Sequence, residues 1–161
     1  MRFHLTSEWR LAVPRQAVWD LLRAAEDWPA WWPEIRRVRL LSPGGPDDLG
    51  AVRRTWWRSR LPYGFVIDFT TRAAQAPHVL EVDAAGDLRG TGRWVLQATA
   101  AGTLVRYHWR VEPAKAWMRW LAPLLAPVFA WNHHAVMRDG ANGMARRLGV
   151  ELIAYIRRDQ A

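Results

Sequence analysis

The 161-residue chain contains five histidines, His4, His78, His108, His133 and His134, and no cysteine. Histidine is the side chain whose ordinary pKa suits proton transfer near neutrality. The absence of cysteine excludes thiol nucleophiles, disulfide frameworks and thiolate zinc sites. No histidine pair shows the i, i+4 spacing of a helical metal site with a third ligand in view, and HExxH does not occur. Neither a metal nor a cofactor is expected. His133 and His134 are adjacent, so on a helix they point about 100° apart and one of them faces an interior. His133, beside Asn132, is the leading candidate for polar chemistry, with a hydrogen-bonded structural histidine as the alternative. Tyr107 and Trp109 combine hydrogen-bonding groups with flat rings that can stack on a ligand. The carboxylates Asp68, Glu81 and Asp83 fall on the solvent-facing phase of their segments. There is no phosphate-binding glycine loop or nucleophile elbow, and Gly86 to Gly92 reads as strand and turn.

The elements that must position these groups follow from periodicity. Phe3 to Val13 alternates as a first strand, and Pro14 suits the first turn of a helix carrying Val18, Leu21 and Leu22. Trp28 to Pro33 is a second short helical turn bounded by prolines, and Glu34 to Leu41 alternates as a strand. Further strands are expected at about 50–60, 64–75, 78–85, 88–99 and 103–112, separated by turn residues such as Leu61-Pro62-Tyr63-Gly64 and Ala101-Gly102. Their short spacing predicts an antiparallel meander of six strands over 34–112, giving about seven with the first. After Pro113 the chain is expected to be helical, with a Trp-rich segment at 114–126 and a long helix at about 128–158. One face of that helix would carry His133, Val136, Met137, Gly140, Met144, Leu148, Leu152 and Tyr155. The expected fold is α+β in one domain over 1–161, a curved antiparallel sheet gripping the C-terminal helix with a cavity between them.

Strand alternation assigns the cavity wall. Val105, Tyr107, Trp109 and Val111 share the inward phase, as do Trp94, Leu96 and Ala98. Phe65, Ile67, Phe69 and Thr71 do likewise, with Leu80, Val82 and Ala84 on the next strand. The strand at 50–60 stays ambiguous: either Val52, Arg54 and Trp56 face inward, or Arg53, Thr55 and Trp57 do. The chain has 12 Trp, and Trp28, Trp31, Trp32, Trp117, Trp120 and Trp131 fall where an aromatic rim would lie. Together with Phe129, His133, Val136, Met137 and Gly140, the helix-side groups complete the candidate ligand wall.

Of 23 basic side chains only Lys115 is lysine, and against 15 acids they leave a formal charge of +8. Arg36, Arg37 and Arg39, and Arg53 through Arg60, are the densest clusters, but no nucleic-acid-binding motif accompanies them. Solvated strand faces account for them, so nucleic acid is not an expected partner. The N-terminus lacks the pattern of a signal peptide, and the apolar run Ala116 to Trp131 is shorter than a spanning helix and interrupted by Arg119, Pro123 and Pro127. A soluble, cytoplasmic protein is expected. Segment 116–131 has three readings: a lid or core element, a dimer contact, or a surface that touches anionic membrane through its apolar side chains with Lys115 and Arg119.

The stretch Trp9-Arg10-Leu11-Ala12-Val13-Pro14-Arg15-Gln16-Ala17-Val18-Trp19-Asp20-Leu21-Leu22, followed by Trp28-Pro29-Ala30-Trp31-Trp32-Pro33, resembles the opening of START-like (SRPBCC) proteins. Leu61-Pro62-Tyr63, Gly86 to Trp94, Thr103 to Tyr107 and Trp131-Asn132-His133-His134-Ala135-Val136-Met137 extend the likeness over nearly the whole chain. It is strongest to the bacterial polyketide cyclase/dehydrase-like branch. The resemblance implies a helix-grip fold with a cavity for a hydrophobic or aromatic small molecule, lipid- or polyketide-like. Carriers and enzymes share that fold, so function must be argued from the site. The leading expectation is a non-catalytic carrier or binding domain. The alternative is a cyclase or dehydratase in which His133 takes a proton, Tyr107 holds an enolate oxygen, and Arg54 stabilises the anion if it points inward. A basic surface module for anionic membrane or nucleic acid ranks third.

Overall fold

A computed structural model of the protein describes residues 1–159. The chain forms β1 (Phe3–Leu11), α1 (Arg15–Arg23), a 3-10 turn (Ala25–Ala30), β2 (Ile35–Ser42), a second 3-10 turn (Pro46–Asp48), β3 (Val52–Trp57), β4 (Phe65–Gln75), β5 (Val79–Gly86), β6 (Leu88–Thr99), β7 (Gly102–Pro113), α2 (Ala116–Leu148) and β8 (Leu152–Arg157). The eight strands form one antiparallel sheet in the order β2-β3-β4-β5-β6-β7-β1-β8. Sequential hairpins build β2 to β7, and β1 returns to pair with β7 in the register Phe3↔Val111 through Leu11↔Thr103. The sheet curves around α2, the helix-grip arrangement anticipated from the sequence.

Three expectations need correction. The segments at 114–126 and 128–158 are not two helices: α2 runs unbroken from Ala116 to Leu148 through Pro123 and Pro127. The two prolines sit on its exposed side, where the carbonyls they leave unpaired can bond to water. The helix then stops ten residues early. Gly149 takes φ +66°, and the Val150 amide bonds back to the Ala145 carbonyl at 3.0 Å, a left-handed helix ending that glycine adopts without strain. Leu152 and Tyr155 therefore lie on β8, paired antiparallel to β1, and not on a helix face. Helical and alternating patterns overlap in this short apolar run, so spacing alone did not separate them. Ala98, assigned to the inner face, is exposed near the tip of the β6–β7 hairpin.

Tryptophan fills one half of the space between sheet and helix. Trp32 is almost fully buried, stacked on Trp31 at 5.4 Å and edge-on to Trp9 at 5.8 Å and Trp57 at 5.4 Å. Its indole Nε1 donates to the Val136 carbonyl of α2 at 3.0 Å. Such contact needs a helix with no side chain at the meeting point. A Cβ on Gly140 would fall on the Trp32 ring, and one on Gly143 would fall on the Trp31 carbonyl oxygen.

Two polar clusters tie α2 to its surroundings. His134 faces Tyr155 Oη at 2.6 Å and the Asp159 carboxylate at 2.8 and 2.9 Å, fastening the helix to the end of β8. On another side, buried Glu34 meets Asp139, which also pairs with Arg60 at 3.2 Å. Burial and the Asp139 carboxylate push Glu34 up to about 8. Burial holds His133 and His134 below the ordinary histidine range, His133 down to about 3.

These contacts predict two results. Gly140→Val should cost at least about 2 kcal/mol in urea unfolding, because Trp32 must leave its site; a loss below about 0.5 kcal/mol would mean that the close approach is unimportant. The melting temperature should peak near pH 6.5 and fall on both sides. Below it, unfolding exposes His133 and His134 to protonation; above it, folded Glu34 holds a proton that the unfolded chain has released, so stability falls until about pH 8. Glu34→Gln should flatten the alkaline limb and steepen the acid limb above about pH 4.5, where Glu34 in the wild type opposes the histidines. A wild-type melting temperature constant from pH 6.5 to 8 would contradict this assignment of Glu34.

Candidate functional site

Beyond the tryptophan cluster the helix and sheet leave an apolar cavity of about 110 Å³. Its sheet side is made by Phe65, Ile67 and Phe69 of β4, Tyr107, Trp109 and Val111 of β7, and Phe3 and Leu5 of β1. Phe129, Asn132, His133, Val136 and Met137 of α2 close the other side. A second chamber of about 60 Å³ lies towards α1, bounded by Leu22, Trp28, Trp32, Thr55, Val82 and Trp94 among others. Trp57, Phe69, Tyr107 and Met137 border both chambers and form the partition between them.

Cross-strand register stacks the aromatic wall. Trp94 lies opposite Tyr107, their rings 4.2 Å apart and 29° from parallel, and Tyr107 stacks in turn on Trp109 at 5.7 Å. Gly92, opposite Trp109, leaves the inner face clear: a Cβ there would meet Tyr107 Oη at 2.7 Å and Trp109 at 3.2 Å. His133 adds its ring nearly parallel to Tyr107, with centroids 6.4 Å apart. Trp57 is fixed by Nε1 donating to Thr55 Oγ1 at 2.7 Å, and that hydroxyl donates to the Ile67 carbonyl at 2.8 Å.

Among the described residues, no carboxylate, lysine or arginine lines the larger chamber. Its polar groups are Ser59, Tyr107, Asn132 and His133. Asn132 Oδ1 and His133 Nε2 are buried with no hydrogen-bond partner among the described residues, a costly state that a bound donor or acceptor would relieve. Burial raises the Tyr107 phenol, so it stays protonated and acts as a donor. His133, pushed down to about 3, is neutral at physiological pH and weakly basic. The wall can therefore stack on a flat ligand and hydrogen-bond to it, but its capacity to abstract a proton is low. Among the described residues, no three His, Asp or Glu side chains come together as a metal site requires.

The structure brings together Phe65, Ile67, Phe69, Tyr107, Trp109, Phe129, His133, Val136 and Met137 at the larger chamber, with Val82 and Trp94 at the smaller. Six candidates lie elsewhere. Strand β3 resolves its ambiguity with Arg53, Thr55 and Trp57 inward, because the buried phase carries Thr55. Trp56 consequently lies on the outer face, beneath the Arg37 guanidinium at 5.0 Å. Arg54 is also outside, bidentate to Asp68 at 2.7 and 2.8 Å, so it cannot stabilise an anion in the cavity. Leu96 is buried core that borders neither chamber, Gly140 packs under Trp32, and Trp117 and Trp120 are exposed on the far side of α2. The inward arginine, Arg53, edges the smaller chamber with its guanidinium held by Glu26 at 2.8 Å and Asp48 at 2.6 Å. Sequence reasoning missed Phe3 and Leu5, which extending the Trp9–Leu11 alternation backwards would have found. It also missed Ser59, a loop residue with no periodic signal.

The fold matches solved structures at low identity. A START superfamily protein from Mycobacterium smegmatis aligns with a TM-score of 0.71 and 16% identity, covering 92% of this chain and 97% of that one. The Zhui aromatase/cyclase from Streptomyces sp. R1128 gives 0.68 and 16%, covering 92% and 96%. The di-domain aromatase/cyclase StfQ from the steffimycin biosynthetic pathway gives 0.68 and 15%, covering 93% of this chain and 53% of that one. At these identities the likeness establishes the fold alone. No curated protein matches the sequence. The family model described as polyketide cyclase / dehydrase and lipid transport matches residues 2–149, and the chain belongs to that family.

Proposed function

We propose that the protein is a carrier or binding domain for a hydrophobic or aromatic small molecule held between the sheet and α2. The observation that carries this reading is the composition of the larger chamber, aromatic and aliphatic throughout, with uncharged polar groups only. An ionised ligand group would enter without a counter-charge, which disfavours carboxylates and amines. A neutral molecule with a flat ring and a hydroxyl or carbonyl matches both the stacked wall and the unpartnered Asn132 Oδ1 and His133 Nε2. The family description and the aromatase/cyclase neighbours support a ligand of this broad kind.

A second reading, a cyclase or dehydratase acting on a polyketide-like substrate, is favoured by one observation: His133 stacks on Tyr107 with its Nε2 uncommitted. In that reaction Tyr107 would donate to the developing enolate oxygen, and His133 would accept the proton leaving carbon. The depressed basicity of His133 weighs against it.

Titration with the neutral fluorescent probe 1-aminoanthracene tests the binding reading. Trp109→Ala should weaken binding about tenfold, since a stacking partner is lost, whereas Arg110→Ala on the outer face should leave it unchanged. Equal effects, or no saturable binding, would refute the pocket assignment. Conversion of a polyketide-like substrate that disappears in His133→Ala would place the enzyme reading first.

A further inference from the structure

The first half of α2 turns two different faces to its surroundings. Met118, Ala122 and Phe129 point towards the sheet, while Trp117, Trp120, Leu121, Leu124, Val128 and Trp131 are exposed, Trp120 at 87% and Leu124 at 78%. At 100° per residue these six fall within about 100° of arc, a continuous stripe about 21 Å long. Arg119, exposed but about 100° around the helix from the near edge of this arc, is the only charged side chain from Ala116 to Trp131. An apolar surface of this extent marks an interaction site.

We propose that this stripe docks the protein on an anionic lipid surface, with α2 lying in the interfacial plane. Tryptophans stand at both ends of the stripe with leucine and valine between, an order suited to the boundary between headgroups and acyl chains. The flanks are cationic. Lys115 and Arg119 sit at one end, and Arg60 lies over the Trp131 ring at the other, 6.0 Å from its centroid, with Arg58 in the same loop. Asp87 pairs with Lys115 at 3.0 Å and Asp139 with Arg60 at 3.2 Å, so the unbalanced positive charge at the flanks rests on Arg58 and Arg119. Arg58 and Arg119 have no carboxylate partner among the described residues. A second copy would oppose the same cations on a chain of net charge +8, whereas an anionic bilayer complements them.

The docked helix is also a wall of the cavity. Phe129, Asn132 and His133 line the chamber from the other side of the same turns, and Trp117 packs edge-on against Tyr63 at 5.8 Å in the β3–β4 loop. Docking here would set that side of the cavity close to the lipid. The proposal goes beyond the binding reading and does not depend on it, because association with vesicles needs no cavity ligand.

The test is co-sedimentation with phosphatidylcholine vesicles, with or without about 30 mol% phosphatidylglycerol. Wild type should pellet with the anionic vesicles, bind the neutral ones weakly, and lose affinity as salt increases. The surface double variant Trp120→Ser/Leu124→Ser, with circular dichroism unchanged, should lose at least about tenfold in partitioning. Arg119→Glu should lose affinity for anionic vesicles only. Absence of binding to both vesicles, or binding unaffected by the double substitution, would overturn the proposal. So would a dimer in sedimentation equilibrium that the double variant abolishes, because the stripe would then belong to a second copy.

Discussion

The close approach of α2 to the two tryptophans at the end of the first helical region governs the rest of the architecture. Gly140 and Gly143 present bare backbone to Trp32 and to the Trp31 carbonyl, and Trp32 answers with a hydrogen bond to the helix at Val136. This fixes the second half of α2 against the tryptophan cluster. The first half continues on past the packed region. Between the two regions, Phe129 to Met137 of α2 face the aromatic wall of β4 and β7 across the larger chamber. Packed core and cavity thus share one interface, with Trp57, Phe69, Tyr107 and Met137 at the boundary.

That arrangement determines what the cavity can do. Apart from Arg53 at the edge of the smaller chamber, the charged side chains of β3 to β6 lie on the outer face of the sheet, where arginines pair across strands with acids, as in Arg54 with Asp68, Arg72 with Asp83 and Arg93 with Glu81. These exposed pairs contribute little to stability individually, but they account for many of the arginines that make the chain basic. Inside, the same strands present aromatic rings and a few neutral polar atoms. A buried phenol that keeps its proton and a buried imidazole that stays neutral suit recognition of an uncharged molecule better than proton transfer.

Much of this was legible in the sequence because alternation in the long central strands is unambiguous. Tyr107, Trp109, Phe69 and Trp94 could be aimed inward by parity alone, and Arg110 outward. Legibility failed where two physical descriptions fit one pattern. Strand β3 has arginine and tryptophan in both phases, so only its neighbours decide that Trp57 faces inward and Trp56 outward. Leu152 and Tyr155 fit helical spacing as well as strand alternation, and Gly149 was the signal separating the two. Trp117 and Trp120 show a further limit: a large apolar side chain reads as interior unless the partner surface is known. Glu34 and Asp139 lie far apart in sequence with no motif between them, so only the folded chain brings the two acids together.

The central claim is that the space between β4, β7 and α2 receives a neutral ligand through stacking and a few uncharged hydrogen bonds. A crystal structure of the protein soaked with a small neutral phenol tests it most directly. The account predicts the ring in the larger chamber against Tyr107 and Trp109, with its hydroxyl within hydrogen-bonding distance of Asn132 Oδ1 or His133 Nε2. A chamber collapsed around its own side chains, or a phenol bound only on the outer surface at saturating concentration, would contradict it.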